Sequence, residues 1–401
     1  MGLPRQSSLA IVLLAASAGA LPLDGLPPAE NSEPTLQAEH VLTGHLDVVR
    51  AATFSPDGYT LATASDDATV RLWDLGSDVP PRVLSGHAAA VLWVAFSPDG
   101  RLLASSSADG TVRLWPVESD SVLDDAPIVL SGHADAVWSA VFSPDGGRLL
   151  TASVDRTARI WALDGDRQPI VLRGHRDAVW AAAFSPDGRR VATASGDRSV
   201  GLWPGDDAPL FHRGHAATVW KAIFSPDGSL LASASVDRTA RLWTNGEAAG
   251  VLRGHDGIVL DLAFGRGGTT LLTASADGTA RLWATEPPRE LQTLAGHAAT
   301  VWTARFSPDG RTIATASADG TARLWTPRGR GRTFLPRAVL DGHADEVLAA
   351  VFSPTGDRLV TVSEDATARI WAVGSGGGDG QVVDQEPGDG AQGDAGGDEQ
   401  P

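Results

Sequence analysis

The dipeptide Gly-His recurs along this chain at a near-constant interval, which restricts the possible fold more than any other feature. Its histidines are His45, His87, His133, His175, His215, His255, His297 and His343, separated by 42, 46, 42, 40, 40, 42 and 46 residues. A period of this length, kept through most of 401 residues, means a repeat architecture in which each unit is one supersecondary element. Every unit has the same grammar. After Gly-His an alternating apolar stretch ends in Phe, as from Ala136 to Phe142. Ser-Pro-Asp-Gly follows, a turn in which Pro and Gly supply the required dihedrals. A small-residue run comes next (Leu149 to Ser153), then a tight turn around Asp155, then Thr157 to Trp161. A short stretch such as Pro169 to Leu172 leads to the next Gly-His. Alternation with period two, bounded by turn residues, predicts four strands per unit. Six units keep Phe-Ser-Pro-Asp-Gly intact; the unit at Phe264 has Phe-Gly-Arg-Gly-Gly and that at Phe352 has Phe-Ser-Pro-Thr-Gly.

Eight in-phase copies of Gly-His, turn, Asp and Trp resemble the WD-repeat family over Glu39 to Val373. The Trp-Asp dipeptide survives only at Trp73-Asp74, which leaves the fold pattern intact. The resemblance implies an all-β, eight-bladed β-propeller of WD-type repeats with four antiparallel strands per blade. Eight three-strand sets follow the Gly-His pairs, but the last has no outer strand of its own, because the chain turns glycine-rich after Trp371. The stretch Glu39 to Leu42 is free to fill that vacancy. The resemblance implies this overlap of the two ends, which leaves no open blade edge.

If strand pairing is centred just after each turn Asp, the residue four before it faces the residue six after it. This sets a hydroxyl opposite each Trp, whose buried indole N–H needs an acceptor. The sets are Thr63/Asp67/Trp73, Ser105/Asp109/Trp115, Thr151/Asp155/Trp161, Thr193/Asp197/Trp203, Ser233/Asp237/Trp243, Thr273/Asp277/Trp283, Thr315/Asp319/Trp325 and Thr361/Asp365/Trp371. The resemblance implies that each joins the Gly-His imidazole of its unit in a structural tetrad. Hydroxyl, His and Asp are also the components of a hydrolytic triad. Eight equivalent copies point instead to scaffolding. No Gly-x-Ser-x-Gly, phosphate loop or metal-spaced His cluster occurs, so catalytic, cofactor and metal residues are expected to be none.

The residue five after each Gly-His histidine opens the inner strand: Arg50, Leu92, Trp138, Trp180, Trp220, Leu260, Trp302 and Leu348. Four Trp in a slot that also accepts Leu and Arg are not required by the fold, and exposed Trp near a channel marks a binding hot spot. The competing reading is that these indoles pack on neighbouring blades. An apolar, aromatic patch is expected around Trp138 to Trp220, and charge where Arg50, Asp66, Glu346 and Glu364 meet at the closure. The expected role is a non-catalytic scaffold that holds a protein or peptide. Alternatives are an extracytoplasmic propeller stacking a sugar or another flat ligand, and the detached sensor part of a larger signalling protein. An enzyme would show one blade breaking the pattern with charged groups clustered in the channel, which is not expected here.

Charge is uneven within the net −17. Residues 374–401 are Gly-rich, with acids at Asp379, Asp384, Glu386, Asp389, Asp394, Asp398 and Glu399 and no Lys or Arg. Such a tail cannot bury enough apolar surface to offset its ordering entropy, so disorder is expected. The mild negative balance of the repeats argues against nucleic acid as partner. Two longer units insert an acidic stretch (Glu118, Asp120, Asp124, Asp125) and a basic one (Arg328, Arg330, Arg332, Arg337), both expected on the face opposite Gly-His as solvated loops. The N-terminus carries Arg5, an apolar run from Ser8 to Leu21, and the small-residue sites Ala16-Ser17-Ala18 and Ala18-Gly19-Ala20, so that residues 1–20 form the candidate signal segment. They suggest a secretory signal, too short for a membrane span, with residues 21–38 a Pro-rich linker. A secreted or periplasmic monomer is expected, a cytoplasmic location being the alternative. The absence of Cys permits an oxidising compartment and excludes thiolate metal sites.

Overall fold

A computed structural model describes residues 33–117, 126–164, 168–205, 208–244, 247–328 and 333–374. The expected signal segment, the acidic insert and the acids of the tail lie outside the described residues, as do Arg330 and Arg332 of the basic insert. Arg337, expected in a solvated loop, lies instead on the outer strand Phe334–Leu340 of blade 7, where strand pairing extends past the insert. The described chain forms eight antiparallel sheets in a ring. Blade 1 comprises Val49–Phe54, Thr60–Ser65, Val70–Asp74 and Arg82–Leu84, from the central axis outward. Blades 2 to 7 repeat this order, and their innermost strands start at Val91, Val137, Val179, Val219, Val259 and Val301.

Blade 8 takes its three inner strands from Val347–Phe352, Arg358–Ser363 and Ala368–Ala372. Its outer strand is His40–Leu42, paired antiparallel with Ala368 to Ile370. The ring therefore closes by joining the N-terminal segment to the last repeat, which removes the exposed sheet edge that an unpaired last strand would leave.

The expected linker is shorter than its composition suggested. Thr35–Leu36 already forms a strand, pairing parallel with Val339 and Leu340 as a fifth strand of blade 7. Pro34 accepts from the Val339 amide and Glu33 pairs with Arg323 at 2.8 Å. Proline cannot donate to a ladder but tolerates an edge position, which explains how a Pro-rich stretch can pair.

Small residues on the second strand of each blade let neighbouring sheets approach. Ala62, Ala104, Ala152, Ala192, Ala232, Ala274, Ala314 and Val360 are wholly buried. Each inter-blade layer then fills with Leu, Val and the Trp of the following blade, as where Trp115 packs against Ala62, Leu72 and Leu84 of blade 1. On the face away from Gly-His, each turn proline rests on the turn glycine of the next blade. Pro56 lies at Gly100, and Pro354 at Gly58 across the closure. Gly58 holds φ +78°, a left-handed conformation in which glycine alone avoids a Cβ penalty. These turns rim a cavity of about 640 Å³ at the channel mouth, lined by Phe54, Phe96, Phe142, Phe184, Phe224 and Phe264 and by the turn prolines of blades 1 to 5.

Candidate functional site at the Gly-His face and the channel

Each blade holds the same polar chain. In blade 1, His45 Nδ1 lies 2.8 Å from Asp67, and His45 Nε2 lies 2.8 Å from the Thr63 hydroxyl. The Trp73 indole donates to that hydroxyl at 2.9 Å. Asp67 also accepts from the amides of Leu46 and Thr69 and from the Thr69 hydroxyl. A neutral imidazole with its proton on Nδ1 satisfies this order: Nδ1–H donates to Asp67, and Nε2 accepts from Thr63. The other seven sets repeat the geometry, with imidazole–carboxylate distances of 2.9, 2.8, 3.0, 2.8, 2.7, 2.8 and 2.8 Å. In all of them the indole N–H donates to Ser or Thr.

The tetrad indoles are core residues as well as hydrogen-bond donors, a role the polar reading of these sets left out. Trp203 is buried in one apolar cluster with Leu150, Ala152 and Leu172 of blade 3. Trp283 is buried likewise with Ala232, Leu242 and Leu252 of blade 5, and Trp325 with Leu272, Leu282 and Leu294 of blade 6. The N–H of Trp203, Trp283 and Trp325 stays in its own blade, so the tetrad hydrogen bonds lie within one unit, while the ring fills the seam to the preceding blade. The reason is that an indole carries one polar atom on a large apolar body, which gains most by leaving water. Buried in these seams, Trp203, Trp283 and Trp325 form no part of an accessible site.

The register behind these contacts differs from the sequence expectation. Pairing is centred on the Asp itself, so Ser105 faces Arg113 and Trp115 faces Leu103. Trp203, Trp283 and Trp325 likewise face Val191, Leu271 and Ile313 rather than Thr193, Thr273 and Thr315. The indole reaches the hydroxyl diagonally, a contact that aromatic side chains can span on one sheet face. The residue facing the hydroxyl is Arg in seven blades and Gly201 in blade 4. Arg71 and Arg113 donate from there to the carbonyls of Gly44 and Gly86.

The tetrads make stability depend on pH with a definite sign. Burial lowers the pKa of His45, His87, His175 and His343 despite the adjoining carboxylates. Burial opposes ionisation of Asp67, Asp109, Asp197 and Asp365, but the hydroxyl, amide and imidazole donors outweigh it and hold them at about 2. In both cases the unfolded chain binds more protons. Stability is expected to fall as pH drops through the ordinary imidazole range, and again from about pH 4 toward about pH 2. Thermal unfolding across this range measures it; a midpoint unchanged between about pH 7 and about pH 4 would contradict it.

All eight position-five residues share a feature absent from the sequence pattern. Inner-strand pairing steps over each of them, for example from Val137 directly to Ser139, so each is a β-bulge residue. A bulge re-aims the extra side chain and leaves it outside the ladder. Trp138 and Trp180 meet edge to face with centroids 5.3 Å apart, and Trp180 and Trp220 tilt together at 4.9 Å. The three indoles are half-buried rather than fully exposed, and they pack across blades, as the competing reading held. Their N–H groups are buried without a hydrogen-bond partner among the described residues. Trp302 stands apart and donates to Glu346 at 3.0 Å. At the closure Arg50 is committed to Asp66, its Nε donating at 2.9 Å. Leu92 is buried, while Leu260 and Leu348 are half-buried.

The channel wall overturns one expectation. Charged groups do cluster there, in and beside the blade whose turn motif is broken. Lys221 of blade 5 and Arg305 of blade 7 both donate to Asp261 of blade 6, which also accepts from the Ala304 amide. Apart from Arg50, these are the only charged residues on the eight innermost strands. Asp261 is buried, but the two cations hold its pKa below the ordinary value, while burial and Arg305 lower that of Lys221. Blade 6 has Arg266 where most blades have the turn proline, so nothing covers Gly310. The one sequence signal for this cluster was Lys221, the sole Lys of the chain. Trp93 was also missed; it is 37% exposed in the same strand slot as Lys221 and Asp261.

The fold and its eight polar tetrads define a repeat propeller of the WD type. The family model "WD domain, G-beta repeat" matches residues 36–74, 78–116, 127–162, 167–204, 209–244, 246–284, 288–326 and 334–372, and the chain belongs to this family. The repeats are offset from the blades by one strand, because the first match contains the outer strand of blade 8. The chain is also similar to a Notchless protein homolog of Arabidopsis thaliana, 45% identical over 47 residues, which is 12% of this chain and 10% of that protein. Protein Notchless of Drosophila melanogaster matches with the same identity and coverage. Protein Mut11 of Chlamydomonas reinhardtii is 45% identical over 53 residues, 13% of this chain and 14% of that protein. The chain thus spans about a tenth of the length of these relatives.

Proposed function

We propose that this protein is a non-catalytic scaffold that docks a protein or peptide on its Gly-His face, centred on Trp138, Trp180 and Trp220. The supporting observation is the indole cluster itself: three aromatic side chains on bulges in consecutive blades, each with an unsatisfied N–H. Half-buried aromatics flanked by solvent-accessible rim are the usual anchors of a docking interface. Leu260, Trp302, Leu348, Leu92 and Arg50 continue the ring in which the patch sits. The charged triad is read as structural, since each member is paired within the wall.

A crosslinking pull-down compares the native chain with a variant in which Trp138, Trp180 and Trp220 are all Ala, with thermal unfolding verifying that the variant folds. Loss of two or three anchors is expected to weaken an identified partner by at least about thirtyfold, equivalent to about 2 kcal/mol. Recovery of the same partners with undiminished affinity would rule the Trp patch out as the site.

A further inference from the structure

The Gly-His face is not uniform around the ring. Three separate positions depart from the repeat average in blades 3, 4 and 5, and only there together. The bulge residue is Trp in these blades, as Trp138, Trp180 and Trp220. The residue after the turn Asp is Arg156, Arg198 and Arg238, each exposed. The residue just before the next Gly-His, at or just past the end of the outer strand, is Arg173, Arg213 and Arg253, also exposed. In the remaining blades the turn position holds Ala or Gly and the strand-end position holds Thr, Ser, Ala or Asp. None of the six arginines forms an ion pair among the described residues.

The turn arginines adopt φ of +72°, +72° and +68°. Glycine occupies this position in three other blades, because left-handed backbone penalises a Cβ. Keeping a long cationic side chain there in three adjacent blades sacrifices stability, a pattern found where strained residues serve binding. From the axis outward each of the three blades presents indole, then guanidinium, then guanidinium. All of these groups are hydrogen-bond donors and none accepts. Blades 7, 8 and 1 are more acidic on the same face, with Asp341, Glu346 and Glu364, whereas Asp47 and Asp345 have counterparts in the basic sector at Asp135 and Asp177.

We infer that the occupant of this sector is an acidic peptide segment of a partner protein, its carboxylates on the arginines of blades 3 to 5 and an apolar side chain among the indoles. This rests on the scaffold reading above and adds the chemistry of the partner. A peptide fits better than a polynucleotide. The basic sector ends at the edge of an acidic one, which would repel a continuous phosphate backbone in a chain of net charge −17. A segment of mixed charge would be oriented by the two halves.

Fluorescence anisotropy on the full chain tests this with three labelled probes: a short Glu- and Leu-rich peptide, its Gln-for-Glu counterpart, and a single-stranded oligothymidylate. The Glu peptide is expected to bind about tenfold or more tighter than the Gln peptide, and to weaken as salt rises. The variant Arg156→Gly, Arg198→Gly, Arg238→Gly is expected to lose about tenfold in that affinity while its Tm rises by about 3–5 °C. The control Ala68→Gly, Ala366→Gly, which relieves the same strain in blades 1 and 8, is expected to gain stability and keep the affinity. Equal binding of the two peptides, preference for the oligonucleotide, or an unchanged triple variant would overturn the inference. Loss of a partner by the Trp variants with no dependence on peptide charge would also overturn it, and would leave the scaffold reading standing.

Discussion

Replacing Asp261 by Asn is expected to destabilise the protein by about 2–4 kcal/mol, the largest loss from any single change in the channel. The carboxylate is wedged between Lys221 and Arg305, and its side chain is only 5% exposed. Neutralising it leaves two cations facing each other in the wall with no counter-charge. Removal of one partner from a fully buried pair costs about 3–5 kcal/mol. The cations here keep 24% and 30% of their side-chain exposure, so water screens part of the loss. The combined variant Lys221→Met, Asp261→Leu, Arg305→Met removes the whole cluster and should recover stability to within about 1–2 kcal/mol of the native chain, since no charge is stranded. Chemical denaturation of the three proteins measures both effects. A combined variant as unstable as Asp261→Asn would mean that the cluster matters through shape rather than charge.

The second large effect runs in the opposite direction. Ala68, Arg156, Arg198, Arg238 and Ala366 occupy the left-handed turn position that Gly110, Gly278 and Gly320 fill in blades 2, 6 and 7. Such a conformation costs a residue with a Cβ about 1–2 kcal/mol, part of which glycine returns through its larger unfolded-state entropy. A net gain of about 0.5–1 kcal/mol per site follows. The five turns lie in different blades, so their gains should add to about 2.5–5 kcal/mol in the fivefold glycine variant. Equilibrium denaturation of the fivefold variant beside each single change checks both the size and the additivity. A fivefold variant no more stable than the native chain would show that side-chain contacts of these residues offset the backbone strain.

The repeat, the blade number and the tetrad residues were legible in the sequence because each is encoded within one unit of about forty residues. Gly-His, Ser-Pro-Asp-Gly and the turn Asp are local instructions, and their eightfold recurrence made each reading checkable against seven others. Strand register was less legible. Counting from the turn placed Ser105 opposite Trp115, whereas a turn centred on Asp109 pairs Ser105 with Arg113. A small difference in where the chain reverses shifts the direct partner by two residues, and the long indole conceals the shift by reaching diagonally. The second role of Trp203, Trp283 and Trp325, as filling between blades, was hidden because their neighbours there belong to the preceding repeat. The bulge at position five has no residue signature, since Arg, Leu and Trp all occupy it. The Pro-rich stretch before Glu39 suggested a linker because composition cannot show that an edge strand of blade 7 is open to it.

Within a unit, the order of amino acids is enough to say where strands start and stop and which polar side chains are buried. A turn dihedral, or an indole in need of an acceptor, is satisfied by residues a few positions away, and such short-range demands leave a readable pattern. Between units, the outcome depends on packing in three dimensions. Lys221, Asp261 and Arg305 are about one repeat apart in the chain, as are Trp138, Trp180 and Trp220. The ring brings successive innermost strands side by side, so the three indoles, and Lys221 with Asp261, meet from the same strand position, and Arg305 reaches Asp261 from two residues further along its strand. Departures from the repeat that look unrelated along the chain therefore become one contiguous charged or aromatic surface.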